Sequence, residues 1–335
     1  MTLGFALLGA GRIGQVHAGA IALNPDATVV AVADAVRANA EALIARFGGE
    51  RRDIDAIAAA KDIDAVLICT PTNTHADLIE TFARTGKAIF CEKPIDLEIA
   101  RVQACLKVVQ ETGAHLMVGF NRRFDPEFIA LKRAITQGQI GKIETINITS
   151  RDPGPPPADY IKSSGGIFRD MTIHDFDMAR FLLDEEIDSV MARASVLVDP
   201  MIGELGDFDT ASILLTSASG RHCTISNSRR ATYGYDQRIE VHGSKGLVSA
   251  QNQREVSVEI ATAQGYLRPP LHDFFMTRYI AAYAAEIAAF IASLSDRSLD
   301  IPNGKDGLRA LQIAVAAQKS VQMGKVEKVM DRATA

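Results

Sequence analysis

Cysteine is scarce in this 335-residue sequence, which contains only Cys69, Cys91, Cys105 and Cys223. None of the four forms a C-x-x-C pair, and their spacing does not match a zinc site. Cys69 and Cys91 stand in apolar, strand-like runs, which is typical of buried thiols. A disulfide framework is not expected in so long a chain, so we predict a reducing, cytoplasmic location.

Long apolar runs and basic clusters are also missing. No stretch of 18 apolar residues occurs, and the longest candidate, 280–294, contains Glu286, which favours a buried helix over a membrane span. The N-terminus lacks the basic start and the cleavage site of a signal peptide. The net charge is −5, and the basic pairs at 51–52 and 229–230 do not form a nucleic-acid-binding stripe. We therefore expect no membrane partner and no nucleic-acid partner.

The composition is that of a globular protein, with 47% apolar and 23% charged residues. The length suggests two domains. From residue 3 to about 120, short apolar runs alternate with helical stretches, which predicts a doubly wound parallel sheet with helices on both faces. The predicted strands are 3–9, 28–33, 65–69, 88–91 and 116–120, and the predicted helices are 13–23, 35–47, 75–85 and 97–112.

The pattern changes after residue 120, where several segments alternate with a period of two residues. This alternation predicts a mostly antiparallel sheet with one covered face. The segments are 143–150, 190–198, 211–215, 222–226, 238–241 and 256–260, and helices are predicted near 126–136, 175–183, 279–294 and 307–323. The proline-rich stretch 153–157 reads as a rigid loop. We predict an α/β protein with a Rossmann domain over 1–120 and an α+β domain with an open sheet over 121–335.

A glycine-rich turn follows the first predicted strand and opens the first helix. Gly9, Gly11 and Gly14 fit G-x-G-x-x-G, with Arg12 and Ile13 between the last two glycines. Gly9 permits the tight turn, Gly11 lets the backbone approach a pyrophosphate, and Gly14 lets the helix pack closely on the sheet. The free N–H groups and the dipole at the helix start favour phosphate. In this context the motif predicts a dinucleotide site.

An acidic residue, Asp34, ends the second predicted strand 20 residues after Gly14. A carboxylate there accepts hydrogen bonds from both ribose hydroxyls of NAD and repels the 2′-phosphate of NADP. Arg37 could reduce that repulsion, but we expect NAD as the cofactor. The alternative to a dinucleotide site is that the glycines form a purely structural turn and that Asp34 caps a helix. The presence of the strand, the turn, the helix and the acidic residue together disfavours this alternative.

Two polar loops follow later strands at the same predicted sheet edge, where ligands bind in open α/β sheets. The first is expected to border the ribose and nicotinamide. It contains Thr70, Pro71, Thr72, Asn73, Thr74 and His75. The second, Glu92-Lys93-Pro94, follows the strand that ends at Cys91, and Glu92 and Lys93 are candidates for binding the cofactor. A structural role at a helix start is an equal alternative for His75, and E-K-P alone is a common surface tripeptide.

A third segment, 165–177, places Asp170, His174 and Asp177 at spacings of four and three, on one face of a predicted helix. A metal site needs a third ligand with convincing spacing, which this segment does not offer, so no metal is expected. Taken alone, the three side chains are also compatible with an ordinary charged helix surface.

The glycine fingerprint, E-K-P after a strand, and G-G-x3-D-x3-H-x2-D together resemble the glucose–fructose oxidoreductase/inositol dehydrogenase/MocA-type family over most of the chain. Within that family, the segments 119–125, 150–153 and 274–279 are similar to those of the inositol 2-dehydrogenases. The resemblance implies an NAD-binding domain followed by a domain that binds substrate, and whose open sheet commonly forms the interface of dimers or tetramers. Asn121 stands where related enzymes often have methionine or another residue, at a position that borders the substrate.

The same resemblance implies a catalytic set of Lys93, Asp170 and His174. Oxidising an alcohol requires a base near neutral pKa and a cation for the forming alkoxide. His174, with an ordinary pKa of about 6.5, suits the first task and Lys93 the second, with Asp170 orienting either group. The expected reaction is NAD-dependent oxidation of a ring hydroxyl of a cyclic polyol in carbohydrate catabolism, with myo-inositol converted to 2-keto-myo-inositol.

An uncharged polyol needs many polar partners. Besides Lys93 and His174, the candidates for binding substrate are Asn121, Arg122, Asp152, Asp177, Tyr233 and Tyr235. A scyllo-inositol or sugar dehydrogenase remains an alternative. A more distant alternative is a non-catalytic NAD-binding regulator, which has no need of a base or of a cation for an alkoxide.

Overall fold

The computed structural model describes residues 2–329, and the chain divides into two units. Unit 1 comprises residues 2–125 and Ile280–Leu311, and unit 2 comprises Pro126–Tyr279 and residues 312–329. The predicted second domain covers residues 121–335, whereas residues 280–311 belong to unit 1 in the structure. In the described part of the chain, every helix is too short or too polar to cross a membrane.

Unit 1 is built on six parallel strands. They are β1 (Leu3–Leu8), β2 (Ala27–Ala33), β3 (Glu50–Arg51), β4 (Ala65–Ile68), β5 (Ala88–Glu92) and β6 (Leu116–Gly119). Their order in the sheet is β3-β2-β1-β4-β5-β6, with every neighbouring pair parallel. This is the order of the dinucleotide-binding doubly wound fold, in which the winding direction reverses between β1 and β4. The predicted Rossmann sheet is confirmed, with β3 as a short addition.

Helices cover the unit 1 sheet, which is why its strands are almost continuously apolar. They are α1 (Arg12–Ala22), α2 (Arg37–Phe47), α3 (Ile54–Ala59), α4 (His75–Ala83), α5 (Ile99–Thr112) and α12 (Ile280–Ser295). Helix α3, which was not predicted, has six residues, and the Asp53 side chain caps it by accepting a hydrogen bond from the Ala56 N–H at 2.7 Å. Helix α13 (Gly304–Met323) begins in unit 1 and ends in unit 2.

The returning segment belongs to unit 1 because its apolar residues complete that core. Phe290 of α12 packs edge-to-face on Phe5 of β1 and Phe90 of β5, with ring centroids 6.2 and 5.8 Å apart. The chain after α12 also meets the edge strand, since the Val118 N–H donates to the Pro302 carbonyl at 2.9 Å. The predicted period-two segments, the last of which is 256–260, give no indication of this return.

Unit 2 is built on a seven-stranded sheet. Its strands are β7 (Ile143–Arg151), β8 (Ile187–Ser195), β9 (Thr210–Ser217), β10 (His222–Ser228), β11 (Asp236–Gly243), β12 (Gly246–Ala250) and β15 (Glu327–Lys328). The order is β12-β11-β7-β10-β9-β8-β15, and β7–β10 is the one parallel pair among these strands. The predicted mostly antiparallel sheet is confirmed. The predicted strand at 256–260 is wrong, because β13 (Ile260–Thr262) pairs only with β14 (Gly265–Leu267) in a separate hairpin.

The helices of unit 2 lie between these strands in the chain. They are α6 (Pro126–Thr136), α7 (Ala158–Ser164), α8 (Gly166–Asp170), α9 (Ile173–Leu183), α10 (Pro200–Glu204) and α11 (Phe275–Arg278). One sheet face is covered and the other is partly open, as β9 shows: Ile213 and Leu215 are buried, whereas Ser212 and Leu214 are exposed. Residues 153–157 form the predicted loop.

A carboxyl group is enclosed in the middle of α12. Glu286 is fully buried, and neither of its oxygens has a hydrogen-bond partner among the described residues. Burial, reinforced by the nearby Glu92 carboxylate, raises the pKa of Glu286 well above its ordinary value. Folding therefore favours the protonated form of this side chain.

Replacing Glu286 with methionine is expected to raise the free energy of unfolding at pH 8 by about 1–3 kcal/mol, because an unpaired polar group is lost at similar volume. The pKa of Glu286 is higher in the folded than in the unfolded protein. Its proton uptake therefore does not destabilise the fold below the unfolded pKa of about 4.3, and the destabilisation grows as pH rises above that value. Urea unfolding at pH 5 and pH 8 should show the larger gain at pH 8. The exposed Glu111→Met variant is the control, and an equal gain at both pH values would contradict the buried proton.

Candidate active site

The carboxyl ends of five unit 1 strands bring the predicted cofactor residues to one sheet edge. Strand β1 leads into Gly9, β2 into Asp34, β4 into Thr70, β5 into Lys93 and β6 into Asn121. Parallel strands direct all of their carboxyl ends the same way, and the reversal between β1 and β4 opens a crevice there. The edge is therefore the place in unit 1 where a dinucleotide fits.

The glycine turn has the backbone geometry that phosphate binding requires. Gly9 has φ +98°, a conformation that favours glycine, and a Cβ on Gly14 would lie 2.1 Å from the Gly9 carbonyl oxygen. A Cβ on Gly11 would meet nothing within 4 Å. Gly11 precedes α1 without a side-chain cap, so the first turn, with Arg12 and Ile13, presents an open helix N-terminus. These features fit the pyrophosphate of NAD.

Asp34 is fixed by the glycine turn itself. Its Oδ2 accepts the Ala10 N–H at 2.6 Å, and its Oδ1 accepts the Val36 N–H at 2.7 Å. Each carboxylate oxygen keeps a second lone pair, which leaves acceptors for ribose hydroxyls. The side chain of Arg37 pairs with Glu41 at 2.6 Å on the exposed surface of α2.

The loop after β4 is closed by its own side chains. Thr70 and Thr74 share a hydrogen bond at 2.6 Å between their hydroxyls, and Thr74 also donates to the Pro71 carbonyl at 2.8 Å. Thr72 and Asn73 form the 3-10 turn between them. This ordering holds a polar rim at the edge where the sequence analysis expects the ribose and nicotinamide.

Glu92 faces the core of unit 1. Its Oε1 lies 2.7 Å from Nε2 of His17, which is fully buried on α1. The His17 ring also packs edge-to-face against Phe90 and Tyr283, with centroids 4.9 and 5.4 Å apart. The predicted contact between Glu92 and the cofactor stays a prediction, and the structure gives its carboxylate a histidine partner that sequence spacing did not indicate.

Asn121 and Arg122 follow β6 in a 3-10 turn and are both buried. The next residue, Arg123, pairs with Asp306 at 3.0 Å, which ties this turn to the start of α13 within unit 1. The turn is thereby held at the same sheet edge as Lys93. Its predicted role towards substrate stays a prediction.

The predicted single helix through Asp170, His174 and Asp177 is wrong. Asp170 ends α8, and His174 lies in the first turn of α9. Thr172 interrupts the helix, because its N–H donates to the Ile167 carbonyl at 2.9 Å and its hydroxyl donates to Asn227 Oδ1 at 2.7 Å. Of the three residues, only His174 and Asp177 lie on the same helix, α9, and Asp177 is buried.

Asp170 is held by two residues that the sequence analysis did not single out. The Tyr160 hydroxyl donates to its Oδ1 at 2.7 Å, and both terminal nitrogens of Arg229 lie 3.4 Å from its Oδ2. Arg229 is almost fully buried and also lies 3.6 Å from Asp207. The guanidinium therefore balances two carboxylates at once.

The first turn of α9 is anchored to the sheet through Asp175, which is fully buried. Its carboxylate accepts the Ser150 hydroxyl at 2.6 Å and the Asn227 side-chain amide at 2.8 Å. Strand β7 carries the serine and strand β10 the asparagine. Because Asp175 adjoins His174 in the chain, this network fixes the main chain that carries the imidazole.

The structure gives the two candidate tyrosines different surroundings. Tyr235 is buried and packs edge-to-face on Phe274 and Tyr279, with centroids 6.3 and 6.0 Å apart. Tyr233 is half exposed, and its hydroxyl donates to Asp236 at 2.5 Å. Burial and that hydrogen bond raise the pKa of Tyr233.

Asp152, a further candidate for substrate binding, follows β7. Its N–H donates to the Ser228 carbonyl at 2.9 Å, which fixes its main chain beside β10. Its side chain is partly exposed. The roles of Asp152, Tyr233 and Tyr235 towards substrate stay predictions.

Comparisons with known proteins agree with this architecture. Residues 3–120 match the family described as Oxidoreductase family, NAD-binding Rossmann fold, and residues 128–249 match the GFO/IDH/MocA C-terminal domain. Inositol 2-dehydrogenase of Rhizobium meliloti is 67% identical over 96% of this chain and 97% of its own. The crystal structure of a myo-inositol dehydrogenase from Corynebacterium glutamicum has a TM-score of 0.95, with 43% identity over 99% of this chain and 100% of that one.

A third similar structure is that of scyllo-inositol dehydrogenase from Lactobacillus casei with bound NAD(H) and scyllo-inositol. It has a TM-score of 0.91 and 30% identity, and the match covers 98% of this chain and 99% of that one. The fold and the sheet edge thus define an NAD-binding oxidoreductase. The chain belongs to the GFO/IDH/MocA family, which confirms the predicted family, fold class and cofactor.

Replacing Arg229 with methionine is expected to lower the free energy of unfolding by about 3–5 kcal/mol, because Asp170 and Asp207 would lose their shared cation in a largely buried place. The exposed neighbour variant Arg230→Met is the matched control and should change stability little. Urea unfolding measures both. Adding Asp207→Asn to Arg229→Met should recover part of the loss, whereas equal stability of the two arginine variants would refute the role of this cation.

Proposed function

We propose that this protein is an NAD-dependent dehydrogenase that oxidises a ring hydroxyl of a cyclic polyol, with myo-inositol converted to 2-keto-myo-inositol. The observation that carries the proposal is Lys93 at the carboxyl end of β5, on the sheet edge that also holds the glycine turn and Asp34. A Rossmann edge that carries a cation beside the cofactor is suited to alcohol oxidation. The name of the relative at 67% identity supports the choice of inositol.

The glycine turn and Asp34 would hold the cofactor. NAD supplies the hydride-accepting carbon when bound, so the chain itself must handle the hydroxyl proton. Lys93 is proposed to donate a hydrogen bond to the substrate oxygen and to stabilise its negative charge as the proton leaves. His174 is proposed to accept that proton, since a neutral imidazole is available near neutral pH.

Asp170 is proposed to orient these groups as a carboxylate. Arg229 lies 3.4 Å from its carboxylate and the Tyr160 hydroxyl donates a hydrogen bond to it, so these two contacts hold the side chain in place. The buried network around Asp175 holds the α9 turn in place, so that His174 does not have to be ordered when substrate binds. The roles of all three catalytic candidates rest on the family resemblance together with these local contacts.

Substrate recognition is proposed to rest on many hydrogen bonds from polar side chains, since a polyol carries many hydroxyls and no charge. The proposed partners are Asn121, Arg122, Asp152, Asp177, Tyr233 and Tyr235, besides Lys93 and His174. The second candidate is scyllo-inositol, favoured by the similar enzyme whose structure contains it.

We further propose a cytoplasmic enzyme of carbohydrate catabolism that assembles as a dimer or tetramer. All four cysteines are buried and free, which supports a reducing compartment. The partly open face of the unit 2 sheet, where Leu214 is exposed, supports its use as the subunit interface.

The decisive experiment is an assay of myo-inositol, scyllo-inositol and glucose with NAD⁺, followed by NADH absorbance. The two inositols differ in the orientation of one hydroxyl, and one misplaced hydrogen bond of about 1.4 kcal/mol corresponds to tenfold in kcat/KM. We expect myo-inositol to be preferred by about tenfold. A preference for scyllo-inositol or glucose would show that this compound, and not myo-inositol, is the substrate. Inactivity on all three compounds with NAD still bound would overturn the proposed activity.

The variants Lys93→Met and His174→Asn are expected to lower kcat by about 10²–10⁴-fold, the usual contribution of a positioned acid, base or cation. The affinity for NAD should change little, because the glycine turn and Asp34 are intact. Turnover and NADH fluorescence titration measure the two properties separately. Lys107→Met on the exposed side of α5 is the control, and near-normal kcat in either active-site variant would remove that residue from the mechanism.

A further inference from the structure

The two neighbours of Lys93 in the chain are each held by a buried histidine. Glu92 is contacted by His17, and the Pro94 carbonyl is contacted by His75. All of these residues belong to unit 1. The segment that carries the proposed catalytic ammonium is thus fixed on both sides, and neither histidine was predicted to act on it.

His17 connects this segment to the helix that begins at the glycine turn. It lies on α1, fully buried, with Nε2 at 2.7 Å from Glu92 Oε1. The flat ring is held between Phe90 and Tyr283, so its direction is set by packing. One hydrogen bond therefore joins the phosphate-binding helix to the end of β5.

His75 connects the same segment to the loop after β4. Its Nδ1 lies 2.8 Å from the Pro94 carbonyl oxygen, and its Nε2 lies 2.7 Å from the Thr70 carbonyl oxygen. A neutral ring donates through one nitrogen and a protonated ring through both. Burial lowers the pKa of His75, whereas the two carbonyls and Glu92 oppose that change and Lys93 reinforces it. A protonated ring donates to both carbonyls, whereas a neutral ring donates to one of them and lies against the other.

We propose that His17 and His75 are positioning residues for Lys93. They set the distance of its main chain from the glycine turn and from the loop after β4, and so place the ammonium relative to the nicotinamide. A displacement of about 1 Å in such a group lowers catalysis by up to about 10²-fold. This inference rests on the proposed role of Lys93.

Asparagine and glutamine substitutions distinguish the His17 contact from the His75 contact. The amide nitrogen of asparagine occupies the position of Nδ1 of histidine, and the amide nitrogen of glutamine occupies the position of Nε2. His17 uses Nε2 on Glu92, so His17→Gln should keep kcat within about threefold while His17→Asn loses about 10–100-fold. The positioning role requires His75 to donate from Nδ1 to the Pro94 carbonyl, so the order should reverse: His75→Asn is the active variant and His75→Gln the impaired one. Each pair is matched in polarity and composition, and NAD affinity should be similar in all four.

The same four variants are then made in the Lys93→Met background. If the histidines act through Lys93, none of the four should lower the residual kcat further. Equal losses in both backgrounds, or no reversal between positions 17 and 75, would overturn the positioning role and leave the proposed function intact. Near-normal kcat in Lys93→Met alone would instead overturn the proposed role of Lys93, and the positioning role with it.

Discussion

The common direction of the six strands in unit 1 is the constraint on which the rest depends. Because every strand is parallel, each loop that follows a strand emerges at the same edge, and residues far apart in the chain become neighbours there. Gly9, Asp34, Thr70 and Lys93 gain a shared location from this rule alone. Their precise placement then comes from short polar contacts, such as the bond between the Ala10 N–H and Asp34.

Buried charge is treated differently in the two units. In unit 2, Arg229 stands between Asp170 and Asp207, so that two carboxylates are compensated by one cation. In unit 1, neither oxygen of Glu286 has a hydrogen-bond partner among the described residues, and burial raises its pKa. A compensated ion pair thus lies next to the proposed chemistry of unit 2, whereas burial disfavours the charged form of the enclosed acid near Glu92.

The sequence predicted the fold well where hydrophobic periodicity is strong. Five of the unit 1 strands and the main strands of unit 2 follow directly from it, and the glycine motif located the cofactor edge. It failed where tertiary contacts decide: Thr172 breaks a helix through a bond to Asn227, which is 55 positions away. His17, Tyr160 and Arg229 were missed for the same reason, since no local spacing links them to Glu92 or to Asp170. The roles of the site residues towards substrate remain predictions.

The return of residues 280–311 to unit 1 has a consequence for synthesis on the ribosome. The rings of Phe5 and Phe90 lack their partner Phe290 until most of the chain has been translated. The nucleotide-binding half therefore emerges first but completes its packing only after strands β7 to β12 of unit 2 have been translated. Until then its first half must wait with an uncovered apolar surface.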